Sequence, residues 1–268
     1  MKGLKAFLTG IYIVIIILLL LCFKKCDSKV NVTVPEPPVE IDSLATDTAS
    51  IDTIPEEIPI KETFKADVVM CIDCTSSMNN IINTIKNNAM NIYADIKSRC
   101  RDKGKDITSM RIKVIGFRDY SDNKTFEVSD FFNMPEHEED FKKYISQLKT
   151  YGGGDRPERG YDALSYAFRS SWKKGNEVHQ VVILWTDADT HPLNGCMNIK
   201  DSTKELYNIR KRELNEKGNR LILFAPQYPC WDMLQENLDN TTRHDVAAGG
   251  GLSDVDYEEI LKTLSETI

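Results

Sequence analysis

The chain is 268 residues long, with 41% hydrophobic and 28% charged residues, which is enough apolar content for a core and excludes wholesale disorder. Its 34 basic and 41 acidic residues leave a net charge of −7, which argues against nucleic acid as a partner, because phosphate binding needs a basic face. Seven cysteines in so long a chain do not make a disulfide-built miniprotein, and the four histidines fall at no zinc-ligand spacing. Three regions follow in chain order. In residues 1–25 an uncharged stretch, Phe7–Phe23, lies between lysines at Lys2, Lys5, Lys24 and Lys25. Seventeen helical residues span about 25 Å against a bilayer core of roughly 30 Å, and flanking lysines snorkel. The segment therefore reads as an uncleaved membrane anchor, since no small-residue cleavage exit follows it. A lipoprotein signal ending at Cys22 stands as the alternative, although Leu21 occupies the position where a small residue is usual. Lysines on both flanks leave the orientation weakly specified; the soluble part is expected on the extracytoplasmic side.

Residues 26–65 hold half of the ten prolines (Pro35, Pro37, Pro38, Pro55, Pro59) and many acids and hydroxyls, with little apolar periodicity. They read as an extended acidic linker. Residues 66–268 read as the folded domain. Asp67–Asp73 is a buried strand ending in an acid. Ser77–Cys100 carries a helical stripe through Met78, Ile82, Ile85, Ile92 and Ile96. Arg111–Phe117 is a strand and Thr125–Phe132 another. Phe141, Tyr144, Ile145 and Leu148 have helical spacing, and Pro157 suits the first turn of a helix running to Lys174, with Gly175 as its cap. His179–Thr186 is a strand, Thr203–Lys217 a helix capped by Gly218, and Arg220–Ala225 a strand. Tyr257, Ile260, Leu261, Leu264 and Ile268 stripe a last helix. This alternation predicts an α/β fold with a doubly wound, mainly parallel sheet and helices on both faces. Trp172 and Trp185 read as core or half-buried packing, and Cys71 as a buried, reduced thiol.

Ligands of such sheets bind beyond the carboxyl ends of the strands. There the sequence places Asp73-Cys74-Thr75-Ser76-Ser77, then Arg118-Asp119-Tyr120, then Gly152-Gly153-Gly154-Asp155-Arg156-Pro157-Glu158, then Thr186-Asp187-Ala188-Asp189-Thr190-His191. Hydroxyls and carboxylates without sulfur or paired imidazoles suit a hard cation, Mg²⁺ with Ca²⁺ or Mn²⁺ as alternatives. A plainer reading is that Thr75 or Ser76 merely caps the next helix. His191 reads as a loop residue.

These motifs resemble the von Willebrand factor type A domain, and the rim resembles that family's metal-ion-dependent adhesion site. The pattern Asp-x-Ser-x-Ser is matched by Asp73, Thr75 and Ser77, with Thr75 replacing a serine, and the late aspartate by Asp187. Gly116–Tyr120 and Gly152–Glu158 resemble a subgroup that includes alpha-kinase-like and hemicentin-like proteins, where an aspartate stands in place of the family's threonine. The resemblance thus implies Asp155 as a ligand, with Thr75 and Ser77 giving hydroxyl oxygens. Asp73 and Asp187 would act through waters. Asp119 and Asp189 are outer candidates that could equally pair with Arg118 or Arg156. Cys196 and Cys230, in loops at the same rim, are a candidate disulfide if the domain faces an oxidising compartment.

The function implied is a membrane-tethered, metal-dependent protein-binding module, with a partner's acidic side chain at the metal. No catalytic acid–base pair and no nucleophile with an adjacent base can be assembled, so no enzyme is expected. The alternatives are a metal-assisted phosphatase-like hydrolase, which would want an acid where Thr75 stands, and a metal-free scaffold domain.

Overall fold

The computed structural model describes residues 60, 62–79, 82–83, 92–153, 157–248, 258, 261–262 and 265–266. The segment read as a membrane anchor and most of the linker lie outside the described residues. Among those described, no helix is long and apolar enough to cross a membrane. The fold set out below is that of the unit Pro55–Ile268.

Seven strands make one sheet. They are β1 (Glu62–Asp73), β2 (Lys105–Phe117), β3 (Phe126–Val128), β4 (Phe132–Met134), β5 (Val178–Trp185), β6 (Asn219–Ala225) and β7 (Thr241–Asp245). The order is β3-β2-β1-β5-β6-β7, with β4 pairing β2 beside β3. β1 pairs in parallel with β2 and β5, and β6 in parallel with β5 and β7; β3 and β4 run antiparallel to β2. The fold is therefore the doubly wound α/β sheet that the alternation of elements predicts. Chain order reverses between β1 and β5, so a crevice opens where Asp73 and Thr186 end those strands.

Strand periodicity divides the core. Phe64, Ala66, Val68, Met70 and Ile72 of β1 face one side, packed with Ile96 and Cys100 of helix α1 (Ile92–Arg101), Phe141 and Ile145 of α2 (Glu138–Gln147), and Leu261. Val69 and Cys71 face the other, against α3 (Gly160–Phe168), α4 (Ile199–Glu213) and α5 (Pro229–Asn237). Such burial on both faces is why the central strands read as continuous apolar runs rather than alternating ones. Trp185 and Trp172 are buried, as read, and Cys71 is a buried thiol turned toward the Ala163 carbonyl.

Several boundaries differ from the sequence reading. β1 begins at Glu62, inside the segment assigned to the linker, because Phe64 buries its ring and Glu62–Phe64 pair with Lys105–Ile107. β2 likewise starts six residues earlier than Arg111, where Ile107 and Met110 are buried. The expected strand Thr125–Phe132 is two short strands, broken at Ser129, whose hydroxyl accepts the Val114 N–H. Pro157 precedes α3 rather than opening it, and α3 stops at Phe168, so neither Gly175 nor Gly218 caps a helix; both occupy left-handed turns ahead of strands. α5 and β7 have no counterpart in the sequence reading, although Trp231, Leu234 and Leu238 recur at helical spacing.

Candidate metal centre

Asp73, at the end of β1, is fully buried. One carboxylate oxygen accepts the backbone N–H of Thr75 at 2.9 Å and its hydroxyl at 2.7 Å; the other accepts the Thr186 hydroxyl at 2.8 Å. Thr75 therefore does not cap the one-turn 3₁₀ helix Ser76–Met78 through its side chain, and the capping explanation fails for it. The Thr75 oxygen lies 3.3 Å from that of Ser77, and Ser77 donates to Asp187 at 2.9 Å. One chain of contacts thus runs Thr186–Asp73–Thr75–Ser77–Asp187 across the crevice between β1 and β5. Burial pushes the Asp73 carboxyl up to about 6, against the pull of its hydrogen bonds from Thr75 and Thr186 and with the charge of Asp187 adding to the rise.

Opposite this chain stands Glu158, 3% exposed. Its backbone is fixed by a parallel bridge to Thr190: its N–H donates to the Asp189 carbonyl at 3.0 Å, and its carbonyl accepts the His191 N–H at 2.8 Å. Its Oε2 is buried without a hydrogen-bond partner among the described residues. Burial first, then the charges of Asp73, Asp119, Asp122 and Asp187, push its carboxyl up to about 9. Two glycines make this approach possible. A Cβ on Gly153 would stand 2.7 Å from Thr75 Cβ, and one on Gly152 would stand 1.9 Å from Asp122 Oδ1; both residues have positive φ, 73° and 75°.

One buried guanidinium ties the neighbouring loops. Arg118 donates to the Lys124 carbonyl at 3.0 Å, to Glu127 at 2.8 Å and to the Lys149 carbonyl, and it stacks 4.0 Å from the Tyr151 ring centroid. It therefore anchors both the β2–β3 loop and the strap leading to Gly152. Asp119 does not pair with it. Asp119 accepts from Ser121 and lies 3.0 Å from His191 Nε2. Burial raises the Asp119 carboxyl, but hydrogen bonds from Tyr120, Ser121 and His191 outweigh it and hold the group below its usual range.

The model of the von Willebrand factor A domain matches residues 67–207, just over half of the chain. The chain belongs to the von Willebrand factor A domain family. Among solved structures, the pilus adhesin SpaC of Lactobacillus rhamnosus GG matches 76% of the chain at 12% identity, with TM-scores of 0.50 and, in its open conformation, 0.49. The match spans 30% of the adhesin's length, and a likeness at this identity shows the fold alone. Proximal thread matrix protein 1 of the mussel byssus matches 76% of the chain at 17% identity with a TM-score of 0.46, across 48% of its own length. No curated protein matches.

Within this A domain the expected site residues Asp73, Thr75, Ser77 and Asp187 come together. Asp155 lies outside the described residues. Asp189 offers its backbone carbonyl to Glu158, while its Oδ1 is buried without a hydrogen-bond partner. Glu158 was not singled out by the sequence reading as a ligand; its place in the Gly152–Glu158 phrase was the available signal. The candidate disulfide is not formed in this structure: Cys196 and Cys230 are separate thiols. Cys230 is held in the first turn of α5, where its carbonyl accepts the Tyr161 hydroxyl at 2.7 Å, and burial pushes its thiol up to about 11.

Among the described residues, no three Asp, Glu, His or Cys side chains alone form a metal-binding group. A cation held by the described residues of this rim would need the hydroxyls of Thr75 and Ser77 among its donors. Such an all-oxygen set fits a hard cation, and the unpartnered Glu158 oxygen among like charges is what such a cation would satisfy.

Proposed function

We propose that this A domain binds a divalent cation, Mg²⁺ in the first place and Ca²⁺ or Mn²⁺ as alternatives, and uses it to hold a carboxylate of a protein partner. The observation that carries the reading is Glu158, a buried carboxylate with an unpartnered oxygen and four acids around it. Burying like charges together costs several kcal/mol unless a counter-charge is supplied. Thr75, Ser77, Glu158 and Asp155 would hold the ion, and Asp73 and Asp187 would orient the two hydroxyls through the hydrogen bonds described above. The cation supplies electrostatic attraction for an anionic group. Neutral hydroxyl donors leave more of its charge to be answered by the partner than carboxylates would. Residues 7–23 would tether the domain to a membrane through the linker 26–65, with the domain on the extracytoplasmic side.

Isothermal titration of the EDTA-stripped full chain tests the first half. Mg²⁺ should bind with one-to-one stoichiometry, and Asp73→Ala or Ser77→Ala should weaken it at least about tenfold, the loss of one charge-assisted contact. A chain that takes up none of the three cations would refute the metal reading. The second half is tested by capture of an acidic probe peptide on the immobilised chain, which should be lost in EDTA and in Asp73→Ala.

A further inference from the structure

At the opposite end of the sheet a second buried charge has no ion pair among the described residues. Arg210, in the last turn of α4, is 6% exposed. Its Nε donates to Asn219 Oδ1 at 2.8 Å and its Nη1 to the Thr241 hydroxyl at 3.2 Å. Both acceptors are neutral. Its Nη2 is buried and has no acceptor among the described residues. Asn219 is in turn held by the carbonyl of Asn215, so the guanidinium is fixed in place rather than free to seek a partner. Burial pulls it down to about 10, with the charge of Asp239 opposing the fall and that of Arg220 adding to it.

Arg210 lines a cavity of about 500 Å³ together with Lys211, Asn215, Asn240, Glu216 and Asp239. The carbonyl end of α4 favours any cation in its last turn, and Lys211 and Arg212 share that benefit at the surface. Arg210 differs in being buried, clamped and incompletely paired. Buried charges in folded proteins are paired, and a guanidinium presents its remaining N–H edge in a geometry made for an oxyanion. We propose that this cavity is a binding site for a small carboxylate ligand, whose anionic group pairs with Arg210. Glu216 and Asp239 line the same space, so the site carries as much negative as positive charge. That balance favours a singly charged carboxylate over a doubly charged phosphate.

The test is thermal unfolding of the full chain in EDTA, which keeps carboxylates from any metal at the rim. Acetate, at ten times its own dissociation constant, should raise Tm by about 3–5 °C. Sodium chloride at matched ionic strength should not, and phosphate should act more weakly than acetate. Arg210→Met should abolish the shift. Arg210→Lys, which keeps the charge but loses the fork, should weaken acetate binding at least about tenfold and serves if the methionine variant does not fold. No acetate shift in the wild type, or the same shift in the lysine variant, would overturn the site. A stronger response to phosphate would overturn the carboxylate assignment.

Discussion

Strand β1 carries two buried aspartates six residues apart, and they are answered in opposite ways. Asp67, near the start of the strand, is 1% exposed and receives Arg111 through Nε at 2.8 Å and through Nη2, with the Lys173 N–H at 2.8 Å completing its shell. Arg111 is itself capped by the Phe131 ring, 4.2 Å from its guanidinium carbon. Asp73, at the end of the strand, is equally buried but receives only hydroxyls and one backbone N–H, and it faces Asp187 and Glu158. The first is a closed ion pair that joins β1, β2 and the segment before β5. At the second, neither Asp73 nor Glu158 has an ion pair among the described residues. Burial alone does not distinguish the two carboxylates; the presence of a matching cation does.

Breaking the closed pair should give the largest effect. Asp67→Ala leaves Arg111 without its partner, and removing one member of a buried pair costs about 3–5 kcal/mol. Urea unfolding should show this loss equally in Mg²⁺ and in EDTA. A loss that Mg²⁺ repaired would mean that the two ends of β1 are coupled, and the contrast drawn between them would fail.

The open site should respond to pH and metal instead. Asp73 and Glu158 are both raised, from ordinary carboxylate values to about 6 and about 9. The metal-free folded state therefore holds more protons than the unfolded chain between about pH 4 and pH 9, and stability falls as pH rises through that window. The rise of Asp73 alone is worth about 3 kcal/mol, a Tm drop of roughly 6–12 °C, and the larger rise of Glu158 adds to it. Saturating Mg²⁺ should remove most of the drop, and Glu158→Gln should flatten the part between pH 6 and 9 without metal. Stability that rose from pH 5 to pH 8 in EDTA would contradict the uncompensated site.

The same contrast explains what the sequence could and could not disclose. The sheet was legible because β1, β5 and β6 are continuous apolar runs with two covered faces. Asp73, Thr75, Ser77 and Asp187 were legible because their spacing follows a family pattern. Glu158 was not, because its role depends on a bridge to Thr190 that only the folded strap creates. Asp119 read as an outer candidate that could equally pair with Arg118 or Arg156, yet successive residues around a strand end point to different faces. Arg118 turns under the strap toward Tyr151, and Asp119 meets His191 from the loop after β5. The pairing partner of each buried charge is a tertiary property.

Asp119 is the intermediate case, and it yields the smallest predicted effect. It lies beside the acid site and adds to the rise of Glu158, yet it has a partner in His191, whose side chain is 31% exposed and whose ring meets Tyr120 edge-on at 5.1 Å. A contact with a partly exposed histidine is worth little, because water competes for both groups. If Asp119 belongs with Asp67, as a carboxylate satisfied by its own neighbours, His191→Ala should cost at most about 1 kcal/mol and change Mg²⁺ affinity less than about threefold. If it belongs with Asp73, freeing it from His191 adds an uncompensated charge next to Glu158, and Mg²⁺ should bind about tenfold more tightly. Its hydrogen bonds to Ser121 and to the Tyr120 N–H remain in the variant and keep the carboxylate where it is. The expected result is therefore the first. Titration of Mg²⁺ into the His191→Ala chain decides which end of β1 Asp119 resembles.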